Sequence, residues 1–189
     1  MSRIDPKHMD RLLSPERRRW QDPDLVLQTL GVTEGMTVAD IGSGPGFFTL
    51  PAARRVGPSG KVYALDVEPA MLERVKERAA EEGVTNVEAL LSQEDELPLP
   101  SRSIDRVMIV NVLHEVEDPT KMIGEILRVL KKLGVVGVVE WKKEAGEWGP
   151  PLEERLAPEQ VETLLREAGF ANTELFEVGP RHYGVLGRK

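Results

Sequence analysis

The 189-residue chain contains no cysteine and only three histidines. Without cysteine it holds no disulfide, zinc–thiolate site, iron–sulfur cluster or thiol nucleophile. A zinc site would need histidine and carboxylate, yet His8, His114 and His182 are spread over almost the whole length. Only the fold can bring them together. Positive charge is also short: 25 Lys and Arg stand against 32 Asp and Glu, a formal net charge of −7. That balance weighs against a general nucleic-acid binder, whose footprint is basic. No apolar run reaches the roughly 18 residues of a membrane span, and the first 20 residues lack the apolar stretch of a secretion signal. The expectation is a cytoplasmic protein. Its length suits one domain with a sizeable core.

What is present is a strand–helix rhythm. Thr37 to Ile41, Lys61 to Leu65, Val87 to Leu91, Ile104 to Val110 and Val135 to Val139 read as strands. The fourth and fifth are nearly continuous apolar runs, as suits strands covered on both faces. Phe47 to Arg55, Pro69 to Glu82, Pro119 to Leu130 and Pro158 to Ala168 read as helices; the second carries Met71, Leu72, Val75 and Ala79 at helical spacing. Thr173 to Val178 and Tyr183 to Leu186 flank Gly179-Pro180 as an antiparallel hairpin. Ahead of the first strand, Ser14 caps a short helix with Pro15 at its first position, and Asp24 to Leu30 forms another. The prediction is an α/β protein with a doubly wound, mostly parallel sheet and helices on both faces. Residues 1–30 form an N-terminal helical segment and 31–189 the domain proper.

In such sheets ligands bind at the carboxyl ends of the strands. The first of these ends is Asp40-Ile41-Gly42-Ser43-Gly44-Pro45-Gly46-Phe47. Glycines permit a tight turn and close backbone approach, and the helix that follows presents free N–H groups to negative charge. The dinucleotide fingerprint would need glycine where Phe47 stands, which disfavours a nicotinamide dehydrogenase. A second carboxylate, Asp66, ends the next strand 24 residues beyond Gly42, near the spacing of a ribose-binding acid; capping the next helix is its plainer reading.

The segments VADIGSGPGFFTL, VYALDVEPAML and LPLPSRSIDRVMIVNVLHEVED resemble, in order, those of class I S-adenosylmethionine (SAM)-dependent methyltransferases, over roughly residues 35 to 187. The small-molecule enzymes near the ubiquinone/menaquinone-biosynthesis methyltransferases are the most similar. The resemblance implies a Rossmann-like seven-stranded sheet whose last strand is antiparallel, with SAM as cofactor and S-adenosylhomocysteine as product. It implies that Asp40 and the turn of Gly42, Ser43, Gly44, Gly46 and Phe47 hold the methionine part. Asp66 would take the ribose hydroxyls and Val67 would pack on the adenine. Gln93, standing where the family often has an acid, or its neighbour Glu94 would meet the adenine amine, and Asn111 would face the cofactor. The usual Pro-Gly-Gly turn before the fifth strand is Lys132-Leu133-Gly134 here. The N-terminal helices would act as a lid, and the stretch from Glu147 to Arg155 would border the substrate.

SAM carries an already activated methyl, so the protein's task is to hold the acceptor in line in a water-poor pocket, with a base where a proton must leave. His114, after the fourth strand, and Glu140, ending the fifth, are the candidate bases. Each has a plainer reading: His114 bound to local backbone, Glu140 paired with Lys142 or Arg155. Trp141, Arg155, His182 and Trp20 are candidate substrate contacts. Their plainer readings are core packing for Trp141 and Trp20, pairing with Glu153 or Glu154 for Arg155, and a solvent-facing sheet edge for His182 and Tyr183. No metal is expected, although the three histidines with Glu140 are the one set that offers a site. A small-molecule acceptor is expected, without nucleic acid, in a monomer or homodimer. An RNA or protein methyltransferase and a noncatalytic SAM-binding regulator are the alternatives. The proline motif of adenine-N6 enzymes is absent after Asn111, and cytosine-C5 chemistry lacks its cysteine.

Overall fold

The computed structural model describes residues 9–146 and 148–189; His8 and the start of the expected lid segment lie outside them. In chain order the elements are α1 (Met9–Leu12), α2 (Arg17–Trp20), α3 (Pro23–Thr29), β1 (Thr37–Ile41), α4 (Thr49–Val56), β2 (Lys61–Asp66), α5 (Pro69–Glu81) and β3 (Val87–Leu91). They continue with β4 (Ile104–Val110), a 3-10 turn (Leu113–Glu115), α6 (Pro119–Val129), β5 (Leu130–Trp141), α7 (Pro158–Ala168), β6 (Asn172–Val178) and β7 (His182–Arg188). Four helices begin with proline in the first turn, where its missing N–H costs nothing. Asp22 and Asp118 cap two of these, accepting from the backbone N–H groups of Asp24 and Lys121.

The seven strands lie in the order β3-β2-β1-β4-β5-β7-β6, and β7 runs antiparallel to the other six. This is the expected Rossmann-like architecture. Side chains alternate across the sheet. Val107, Ile109, Val136 and Val138 enter the core under α6 and α7. Met108, Val110, Val135 and Val139 enter the opposite core under α3 and α4. Burying each such side chain stabilises the fold by about 1.5–3 kcal/mol. Strand order reverses between β1 and β4, so their carboxyl ends open a crevice there.

Three local expectations change. Ser14 does not open α2 with its side chain; its carbonyl accepts from Arg17 N and the helix starts at Arg17. Strand β5 is longer than Val135 to Val139: it starts at Leu130 beside Ile104, and its register shifts before Val135 pairs with Arg106. Leu133 in that irregular stretch holds a left-handed backbone, φ +66°, with its side chain 75% exposed. Finally, His182 and Tyr183 are not at a solvent-facing edge. β7 lies between β5 and β6, and both residues are buried.

Candidate functional site

The main chain of the turn after β1 is held by one backbone and two side-chain partners. Ser43 N donates to Leu65 O, Gly44 N donates to Asp66 Oδ2 at 2.8 Å, and Arg78 reaches from α5 to donate to Pro45 O at 2.8 Å. Gly42 has φ +65°, and a Cβ there would come within 2.3 Å of Val112. Glycine is required at that point for backbone shape and for the close pass of the chain after β4. Asp66 also accepts from Glu68 N at 2.9 Å. One carboxylate thus ties the glycine turn to the start of α5. Burial raises its pKa, and the N–H groups of Glu68, Gly44 and Val67 oppose that shift.

Asp40 is buried and accepts from the Thr49 hydroxyl at 2.6 Å. Burial pushes its pKa up to about 7, against the Thr49 hydrogen bond and the attraction of Arg17. Asn111, also left-handed at φ +57°, donates from Nδ2 to Gln21 Oε1 at 3.4 Å. Its Oδ1 and Gln21 Nε2 are buried without partners.

His114 and Glu140 form one unit. Val110 pairs with Val139, which sets the ends of β4 and β5 side by side. Glu140 Oε2 lies 2.7 Å from His114 Nδ1, and Oε1 accepts from His114 N at 3.2 Å. Glu140 therefore pairs with neither Lys142 nor Arg155. The carboxylate must accept at Nδ1, so that nitrogen carries the proton and Nε2 is left to accept. Burial lowers the imidazole pKa, but the hydrogen bond and charge of Glu140, with the charge of Glu115, prevail and hold it above 6.5.

A cavity of about 760 Å³ runs along these strand ends, within the roughly 300–1,000 Å³ of small-molecule sites. Asp40, Gly42, Ser43, Gly44, Phe47, Asp66, Val67, Gln93, Glu94, Asn111 and His114 all line it. Gly46 does not; its Cβ position faces Leu50 and Val75. Glu140 stands behind His114. Among the substrate candidates, Trp20 and Trp141 line the cavity, and so does Trp148. His182 is 0% exposed, stacked on Trp20 with centroids 5.4 Å apart and tilted against Trp141 at 4.2 Å. Burial and the nearby arginines push its pKa down to about 3, so it is a neutral spacer behind the wall. Arg155 is not among the residues lining the cavity, and it pairs with neither Glu153 nor Glu154. Its guanidinium donates to the carbonyls of Lys142, Glu144, Trp148 and Pro150. It pins the loop whose Gly149 lies flat on Trp141, where a Cβ would sit 2.8 Å from the ring. Arg181 stacks over Trp20 and Trp148 at 5.6 and 5.0 Å. Among the described residues no three histidine or carboxylate side chains converge as a metal site. Trp148 belongs to the stretch expected to border the substrate, whereas sequence reasoning missed Arg17 as a buried residue; nothing local separates Arg17 from the two arginines that follow it.

The chemistry of the donors fits SAM: carboxylates for an ammonium and a ribose diol, a glycine turn for close approach, and orphaned polar atoms beside it. Comparison with known proteins agrees. A family described as a methyltransferase domain matches residues 32–169. The ubiquinone/menaquinone biosynthesis C-methyltransferase UbiE of Idiomarina loihiensis is 36% identical over 114 residues, covering 60% of this chain and 45% of that protein. The chloroplastic 2-methyl-6-phytyl-1,4-hydroquinone methyltransferase 2 of Oryza sativa subsp. japonica is 33% identical over 163 residues, covering 81% and 44%. The chain therefore spans less than half the length of these curated relatives. A crystal structure of a SAM-dependent methyltransferase from Aquifex aeolicus is 36% identical with a TM-score of 0.93, covering 98% of this chain and 99% of that one.

Proposed function

The chain belongs to the SAM-dependent methyltransferases, and from that membership we propose that it moves the methyl group of SAM onto a small organic acceptor by in-line displacement. The observation that carries this reading is a single cavity bordered by Asp40, Asp66 and His114 at the ends of three neighbouring strands. Asp66 takes the ribose hydroxyls, its second lone pairs remaining beyond those used by Gly44 and Glu68. Asp40 and the turn from Gly42 to Phe47 hold the methionine part, Val67 packs on the adenine, and Gln93 or Glu94 meets its amine. Asn111 closes the cofactor side.

SAM supplies an electrophilic methyl on a sulfonium centre. Everything else falls to the chain. Trp20, Trp141 and Trp148 shape a water-poor wall for the acceptor. His114 Nε2 accepts the acceptor's proton where one must leave, and Glu140 fixes the imidazole tautomer from behind. Residues 1–30 serve as the cover, and the protein works as a monomer or homodimer in the cytoplasm.

Thermal shift with SAM, S-adenosylhomocysteine, NAD and ATP is the first test. Ligand at 100 times its Kd stabilises by about 2.7 kcal/mol, and the two SAM compounds are expected to do so. Stabilisation by NAD alone would overturn the reading. A tritiated-methyl assay against metabolite, RNA and protein fractions then identifies the acceptor; label in the RNA or protein fraction alone would overturn the small-molecule assignment.

A further inference from the structure

Arg181 stands just ahead of β7. That strand runs against the parallel ones, so it begins where they finish, at the mouth of the cavity. His182 pairs with Trp141, and the Arg181 carbonyl accepts from Lys142 N at 2.9 Å. On the other side the β6–β7 turn presses on α2: a Cβ on Gly179 would lie 2.5 Å from Trp20 O. The main chain that carries Arg181 is therefore held from two sides.

The half-buried guanidinium lies over two indoles, 5.6 Å from the Trp20 centroid and 5.0 Å from that of Trp148. Rings meet the face of a guanidinium and leave its N–H edge open. Among the described residues no carboxylate forms an ion pair with Arg181 and no acceptor takes its side-chain N–H groups. The other arginines of the cavity are placed differently: Arg11 is exposed, and Arg17 donates to Gln21 Oε1 and Leu12 O.

Strand order locates this cation relative to the chemistry. Neighbouring strands lie about 4.8 Å apart, so the start of β7 is two strands, roughly 10 Å, from the end of β4, which leads to His114. It is four strands, roughly 19 Å, from the end of β2, which carries Asp66. Arg181 thus belongs to the acceptor's half of the cavity. The strand between β4 and β7 is β5, and it ends in Trp141, whose ring is tilted against Trp20 with centroids 5.8 Å apart. A flat apolar wall with an unpaired cation at one end and an imidazole at the other selects a flat molecule that carries an anion remote from its reacting atom.

We propose that the methyl acceptor is an aromatic carboxylate, its ring against Trp141, its carboxylate on the N–H edge of Arg181 and its reacting atom turned to His114. The inference rests on the chain being a small-molecule methyltransferase and names the class of that small molecule. One guanidinium matches the single charge and paired oxygens of a carboxylate.

The acceptor can be classed without being identified. The full chain is incubated with tritiated-methyl SAM and a cell metabolite extract, and the labelled product is separated from SAM by chromatography. It is then partitioned between water and ethyl acetate at pH 2 and at pH 8. A carboxylic acid is neutral at the first pH and ionised at the second. The product is expected to absorb in the near ultraviolet, to enter the organic phase at pH 2 and to stay in water at pH 8. Equal extraction at both pH values marks a neutral acceptor and would overturn the proposal. So would a product held in water at both, or one without ring absorbance. Arg181→Gln is expected to raise the apparent KM, measured by dilution of the same extract, roughly 10- to 100-fold with kcat little changed. Stabilisation by SAM is expected to persist in that variant, and Arg181→Lys recovers part of the loss. An unchanged KM in Arg181→Gln overturns the assignment, and so does a joint loss of SAM-dependent stabilisation, which marks a packing role. A chain that binds SAM but labels no metabolite would remove the small-molecule reading itself, and this inference with it.

Discussion

Asp40 and His114 have pKa values shifted upward for opposite physical reasons, and the difference sets what each variant should show. Burial makes the Asp40 carboxylate costly to ionise, with a folded value of about 7. Its contribution to stability is full below the ordinary carboxylate range and is lost as pH rises through 7. Asp40→Asn removes that loss. Its stability relative to the parent is expected to grow by at least about 1 kcal/mol from pH 5 to pH 8 in paired thermal melts, while the affinity for SAM falls at least about tenfold as the ammonium loses its partner. For His114 the partner prevails over burial. In the proposed base role neutral imidazole is the reactive form, so kcat/KM is expected to climb with pH along a limb centred above 6.5. In Glu140→Gln the strongest raising group is gone and burial remains, so that limb moves to lower pH. His114→Asn is a cleaner probe than His114→Ala, because alanine strands a buried carboxylate at a cost of about 3–5 kcal/mol; a general base is worth about 10²–10⁴-fold in kcat. Both residues were legible as candidates from their places after strands. Their pairing was not, because it depends on the β4–β5 register, which the apolar runs alone leave open.

At the scale of elements, legibility tracked punctuation. β3, β4 and α7 fall where Gly, Pro and charged residues bound the apolar pattern, to the residue. β5 was read short because Lys131 and Lys132 interrupt its pattern, and the extension is carried by pairing of Leu130 with Ile104. The start of α2 was misread because Ser14 satisfies Arg17 N by its carbonyl. The irregular start of β5 leaves a measurable mark. Leu133 holds a backbone conformation that glycine adopts freely, and its side chain is mostly in water. Leu133→Gly is expected to raise stability by roughly 0.5–1 kcal/mol, a Tm gain of about 1–4 °C in a chain of this size. A lower Tm would mean that the leucine makes a contact worth more than the strain.

For the molecule as a whole, the strand–helix alternation and the right-handed crossovers it demands point to the sheet and to the crevice at its carboxyl ends. Trp20, Trp141 and the stretch holding Trp148 were candidates for the crevice wall, but their convergence on one cavity was not readable, because they come from α2, β5 and the following loop, with no shared local pattern. These are all three tryptophans of the chain, and every one lines the cavity. The protein therefore carries its own optical probe: its whole indole emission originates at the walls of this cavity. A titration with SAM or with an acceptor is expected to change the intensity or wavelength of that emission saturably, with no background from distant indoles. Single Trp→Phe variants then report which side of the mouth each compound occupies; emission unaltered at a SAM concentration that stabilises the fold would mean that the cofactor leaves all three rings undisturbed.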